Sequence, residues 1–104
     1  MTTRYPRTPD NRYFVARDRL WRCSDPTLPD HVRTFWVKAL MDARRSVKLA
    51  RTETERSAAR ADVQTAKVAL GERGPVWWEG DQTDWTRYHP RNTPYAGWWA
   101  ALDK

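Results

Sequence analysis

The apolar positions of this chain follow two different periods, and each period predicts its own kind of element. Tyr13-Phe14-Val15-Ala16 and Leu20-Trp21-Arg22-Cys23 are short β-prone runs on either side of Arg17-Asp18-Arg19. That pattern predicts a β-hairpin with a tight turn at Arg17-Asp18. Ser24-Asp25-Pro26 through Pro29 then breaks the chain. A helix follows from about Asp30 to Arg51, with Pro29 or Asp30 near its first turn. Along it Val32, Phe35, Trp36, Ala39, Leu40, Ala43, Val47 and Ala50 recur every three or four residues and form one apolar stripe. Val37 and Met41 fall on the opposite face, among Lys38, Arg44, Arg45 and Lys48, where only a covering segment or a partner would want them.

Thr52-Glu53-Thr54-Glu55 carries a Thr-x-x-Glu capping box, which starts a second helix. The stripe shifts phase there, to Ala59, Val63, Ala66 and Leu70, and its alanines allow close approach of two helix backbones. An antiparallel helical hairpin is the expected arrangement. A single long helix is the alternative, because neither Gly nor Pro marks the turn. Gly71, Gly74 and Pro75 end the second helix. Beyond them periodicity stops: Trp77, Trp78, Trp85, Tyr88, Tyr95, Trp98 and Trp99 are spaced irregularly between Gly80, Pro90, Pro94 and Gly97. Thr93-Pro94 predicts one short last helix across Pro94 to Leu102. The expected fold class is α+β, mostly α. Residues 1–11, polar and with Pro6 and Pro9, read as a flexible arm, and residues 12–104 as a single small domain.

Composition narrows the classes of function. The sequence has 104 residues, of which 39% are hydrophobic and 12% aromatic. It contains no apolar run of the ~18 residues a membrane-spanning helix needs. Its first residues have no apolar stretch like that of a secretory signal. The lone Cys23 excludes an internal disulfide, which fits a reducing compartment, and the expected location is the cytoplasm. The net charge of +6 is uneven. Residues 29–52 set six basic side chains against two aspartates, whereas residues 75–104 carry three basic against four acidic.

Chemistry for catalysis is sparse. His31 and His89 lack metal-ligand spacing, and Cys23 with His89 is a weak nucleophile–base pair. Gly71-Glu72-Arg73-Gly74 follows a helix rather than a strand, the wrong setting for a dinucleotide loop. Asp81 and Asp84 read as a solvated loop. The expectation is a non-enzymatic protein with no cofactor and no metal.

Two binding candidates remain. Arg44, Arg45, Lys48 and Arg51 lie on successive helical turns, a spacing suited to a phosphate backbone or a row of carboxylates. A solvated outer face partly neutralised by Asp42, Glu53 and Glu55 is the plainer account. The other candidate joins Arg73, Trp77 and Trp78 to Arg87, Tyr88, Arg91 and Tyr95. Rings interleaved with arginines suit base stacking, at about 1–3 kcal/mol per stacked base. The same rings, each burying roughly 150–250 Å², would equally thicken a thin Ala-lined core. The expected function is nucleic-acid binding through the basic helix and the Arg/Trp segment. The alternative is a protein–protein adaptor or homodimer that uses Val37, Met41 and exposed tryptophans.

Four strings also carry a resemblance: Arg12-Tyr13-Phe14-Val15 with Arg19-Leu20-Trp21-Arg22; Leu40-Met41-Asp42-Ala43-Arg44-Arg45; Ala66 through Trp78; and Arg91-Asn92-Thr93-Pro94-Tyr95-Ala96 with Trp98. Together they resemble a family of small uncharacterised bacterial proteins, often labelled as Tol-type biopolymer transport. Leu70-Gly71-Glu72-Arg73-Gly74-Pro75-Val76-Trp77-Trp78 is the most specific part. The resemblance implies a bacterial cytosolic protein and transfers no catalytic residue. Asp18 stands where that family has Gly in the hairpin turn.

Overall fold

The computed structural model describes residues 5–102. Its elements are β1 (Tyr13–Ala16), β2 (Arg19–Arg22), α1 (Asp30–Leu49), α2 (Glu53–Ala69), a 3-10 turn (Pro90–Asn92) and α3 (Ala96–Ala101). The fold is α+β and mostly α. The chain divides into two compact units, a helical unit of residues 24–77 and a terminal unit of residues 1–23 with 78–104.

In the helical unit, α1 starts immediately after Pro29, whose carbonyl accepts from the N–H groups of Val32 and Arg33. It stops at Leu49, where Ala50 turns extended. Thr52 then caps α2: its hydroxyl accepts from the Glu55 N–H at 3.0 Å, and the Glu55 carboxylate accepts from the Arg51 N–H at 2.8 Å. This local pairing divides the run into two helices rather than one. The core is Leu40, Ala66 and Leu70, with Leu28, Trp36 and Val63 packed against it. Phe35 is a correction to the predicted stripe, being 63% exposed. It lies at the stripe's margin, about 100° around the helix from Trp36, away from the line of Leu40, Ala43 and Val47.

At the end of α2 the Gly71 N–H donates to the Val68 carbonyl and the Glu72 N–H to the Lys67 carbonyl, a Schellman closure. Gly71 has φ +84°, and a Cβ there would meet Trp77 Cδ1 at 2.9 Å and Asp25 Cβ at 3.0 Å. Gly74 has φ +74°, but its nearest neighbour would stand at 3.4 Å. Gly71→Ala is therefore expected to cost about 2 kcal/mol of stability, roughly twice the cost of Gly74→Ala, which carries only the left-handed backbone term. Urea titrations of the two variants side by side check this, and equal losses would show that the crowding at Gly71 is relieved.

In the terminal unit, β1 and β2 pair antiparallel, with Ala16 opposite Arg19 and Tyr13 opposite Arg22. Arg17 and Asp18 both take positive φ, 55° and 63°, as a two-residue primed turn requires. Both edges of this ribbon are covered. On one side the Val15 N–H donates to the Pro6 carbonyl and the Thr8 N–H to the Tyr13 carbonyl. On the other, Leu20 exchanges hydrogen bonds with Tyr88 and Arg87. Of the arm expected over residues 1–11, residues 1–4 lie outside the described residues. Thr8, by contrast, is buried, with its hydroxyl donating to Asp10 at 2.7 Å. The last helix is shorter than predicted and begins at Ala96. Thr93 acts one turn early: its hydroxyl accepts the Tyr95 N–H, so Pro94 and Tyr95 form the turn that leads into the helix.

Candidate functional site

The first predicted candidate lies on α1 and just beyond it. Arg44, Arg45, Lys48 and Arg51 are all exposed. They are not equivalent. Asp42 draws Arg45 to 3.3 Å and Lys38 to 3.0 Å. The hydrogen bond and charge of Lys38, with Arg45 behind them, hold the Asp42 carboxyl below its ordinary value. Arg44, Lys48 and the side chain of Arg51 form no ion pair among the described residues. Between and beside these cations stand exposed apolar side chains: Phe35, Val37, Met41 and Leu49, at 63%, 37%, 59% and 66% exposure. At 100° per residue Val37, Met41, Arg44 and Lys48 share one strip of the helix. α1 thus offers a face that is at once basic and greasy.

The second predicted candidate divides between the two units. Arg73 and Trp77 belong to the helical unit, where Arg73 donates to the Gln64 side chain at 2.7 Å. Trp78, Arg87, Arg91 and Tyr95 belong to the terminal unit. There Arg87 has φ 78° and serves through its backbone, accepting from the Arg19 guanidinium and donating to Leu20. The Arg91 N–H donates to His89 Nδ1, so His89 caps the 3-10 turn. All seven tryptophans are buried or half-buried and none is exposed. The string from Leu70 to Trp78 accordingly reads as core, helix stop and ring packing.

The cations that stack on Trp78 are ones the sequence did not single out: Arg12, at 4.8 Å from the ring centroid, and Arg22, at 5.9 Å. Arg22 is buried on the inner face of the ribbon and is bound by Asp84 at 2.6 Å. Burial works to raise the Asp84 carboxyl, but the hydrogen bonds from Thr86 and the Arg22 guanidinium outweigh it and hold the group below its ordinary value. Beside this pair Tyr13, with no exposed surface, accepts the Trp85 N–H at 2.9 Å. Burial pushes its phenol up to about 12. The Tyr95 hydroxyl donates to Asp10 at 2.7 Å. Burial and this bond to Asp10 raise the Tyr95 phenol as well.

Next to the Arg22–Asp84 pair lies a small open hollow of about 150 Å³ that includes Asp10, Arg12, Trp78, Asp81, Trp85 and Tyr95 in its walls. A local signal marked the loop that builds it. Asp81-Gln82-Thr83 and Asp84-Trp85-Thr86 repeat an Asp-x-Thr pattern, in which each aspartate accepts both the N–H and the hydroxyl of the threonine two residues on. Asp25 does the same with Thr27.

Among the described residues no group of three or more His, Cys, Asp or Glu side chains is placed to hold a metal. No described helix is long and apolar enough to cross a membrane. No family model matches the chain, nor does any curated protein or solved structure.

Proposed function

We propose that this is a non-enzymatic binding protein whose α1 docks an acidic protein surface that also carries apolar side chains. One observation carries the reading: Val37 and Met41 are exposed on the strip of α1 that holds Arg44 and Lys48. Exposed apolar groups between cations gain from burial against another apolar surface, at roughly 25 cal/mol per Å². A phosphate backbone would leave them wet. A second copy would add its own Arg44 and Lys48 to the same interface and bring no matching negative strip, so a partner of opposite charge fits better than a homodimer.

Nucleic-acid binding is the second reading, favoured by Arg44, Lys48 and Arg51, which form no ion pair among the described residues. The two readings part on salt and on Met41. Three phosphate contacts would lose roughly 40-fold in affinity between about 50 and 200 mM salt, from a slope of ~0.9 per contact. Titration with an amphipathic Leu/Glu helical peptide and with a duplex oligonucleotide at both salts is the test. The expected result is peptide binding that persists at the higher salt and is lost in Met41→Asp. Oligonucleotide binding that collapses with salt and ignores Met41→Asp would replace the adaptor reading with the nucleic-acid one.

A further inference from the structure

The walls of the hollow in the terminal unit carry a charge opposite to that of the protein as a whole. The protein carries a net charge of +6. Yet the walls of the hollow bring two carboxylates, Asp10 and Asp81, to one cation, Arg12. The nearby Asp84 is matched by Arg22 and adds nothing to the balance. The two wall carboxylates are also in different states. Asp10 is used in full: one oxygen accepts from Thr8 and from the Arg12 N–H, and the other from Tyr95, with Arg12 Nε at 3.8 Å. Asp81 spends one oxygen on the N–H and hydroxyl of Thr83. Its other oxygen accepts no hydrogen bond among the described residues, and the side chain remains exposed.

The remaining walls are mostly rings: Tyr13, Trp78, Trp85 and Tyr95, with Pro94. The faces of such rings attract cations, most strongly when the cation is partly desolvated. The hollow, about 150 Å³, is half the lower end of typical small-molecule sites, roughly 300 Å³. It is too small for a nucleotide and matches the end of one side chain. The protein supplies its own example of what fits these walls, because the Arg12 guanidinium already rests over Trp78 beside Asp10.

We propose that this hollow is a recognition site for the guanidinium of an arginine side chain presented by a partner, with Asp81 as the ion-pairing residue and Trp85 and Tyr95 as the stacking walls. A planar guanidinium meets a carboxylate through two N–H groups and lies flat on a ring, which a spherical ammonium does not. The site belongs wholly to the terminal unit and stands or falls independently of any docking on α1.

The test is two-dimensional NMR of the full chain, following the indole N–H signals of Trp78 and Trp85. N-acetyl-arginine N-methylamide is expected to shift them saturably in the millimolar range, as one pocket-sized contact gives. The neutral citrulline counterpart, which keeps the shape and loses the charge, is expected to leave them unmoved. Asp81→Asn retains an oxygen to accept from Thr83, so the loop keeps its turn. It should weaken binding about fivefold, the scale of one partly exposed ion pair. The indole spectrum of the unliganded variant reports whether its fold is intact. Equal shifts from the citrulline compound, or none from the arginine compound on the wild-type protein, would overturn the proposal without reference to any variant.

Discussion

Leu70→Ala is expected to remove about 3 kcal/mol from the stability of the helical unit, and Phe35→Ala less than about 0.5 kcal/mol. Both side chains are large and apolar, and both sit on helical periods that the sequence marks as stripes. Their surroundings differ. Leu70 has no exposed surface and closes the cluster with Leu40 and Ala66, while its carbonyl accepts the Asp25 N–H that ties the loop before α1 to the end of α2. Truncation there leaves a cavity between small neighbours that cannot collapse to fill it. Phe35 is 63% exposed, and its ring meets Trp36 edge-on at 5.0 Å. For a unit of this size, 3 kcal/mol corresponds to a fall in melting temperature of about 15 °C. Thermal unfolding followed at the helical signal separates the two variants. Similar losses would mean that the apolar stripe, not the Ala-lined seam, holds the helices together.

The second large effect belongs to the terminal unit. Asp84→Asn is expected to cost about 2 kcal/mol, because it strands the buried Arg22 guanidinium without its counter-ion. The figure is below the usual cost of breaking a fully buried pair because the Asp84 side chain is 40% exposed and water can approach it. The same pair sets the response to acid. The folded carboxyl is depressed, so the stability it contributes is fully present above its unfolded value of about 4 and is lost as pH falls through the lower folded value. Asp10 adds in the same direction: burial would raise it, but bonds from Thr8, Tyr95 and Arg12 hold it low. Tryptophan fluorescence of the wild-type protein should therefore begin to report unfolding below about pH 4, and Asp84→Asn should flatten that dependence. A variant curve running parallel to the wild type would assign the acid sensitivity to other carboxylates.

Much of the fold was legible because its signals are local. The capping box at Thr52 and Glu55, the stop at Gly71 and the turn at Arg17-Asp18 each act within five residues, and each appears where the sequence placed it. The last of these succeeded without the usual glycine, since both turn residues accept positive φ in a ribbon held on two sides. The hollow was not legible, because its bonds are distant: Tyr95 reaches Asp10 across 85 positions and Trp85 reaches Tyr13 across 72. No spacing rule connects such partners. The repeated Asp-x-Thr was a local trace, but a turn motif does not say what the turn faces, and Asp81 and Asp84 by themselves read as a solvated loop. The tryptophans were legible only in part, for a related reason. Their number suited core packing before display, but which rings are buried depends on the arginines and tyrosines that return to meet them.

The covering of the ribbon has a consequence for the order in which the protein assembles. Residues 24–77, which make up the helical unit, form one continuous stretch of the chain. The strands at residues 13–22 come earlier, but Tyr88, Arg87, Asp84 and Trp78, which close one edge and match the buried Arg22, arrive at least 56 positions later. During synthesis from the N-terminus the helical hairpin can thus be complete while the ribbon still waits with a bare edge and an unmatched guanidinium. A chain arrested on the ribosome with residues past 77 still in the exit tunnel would hold a folded middle between two unfolded ends.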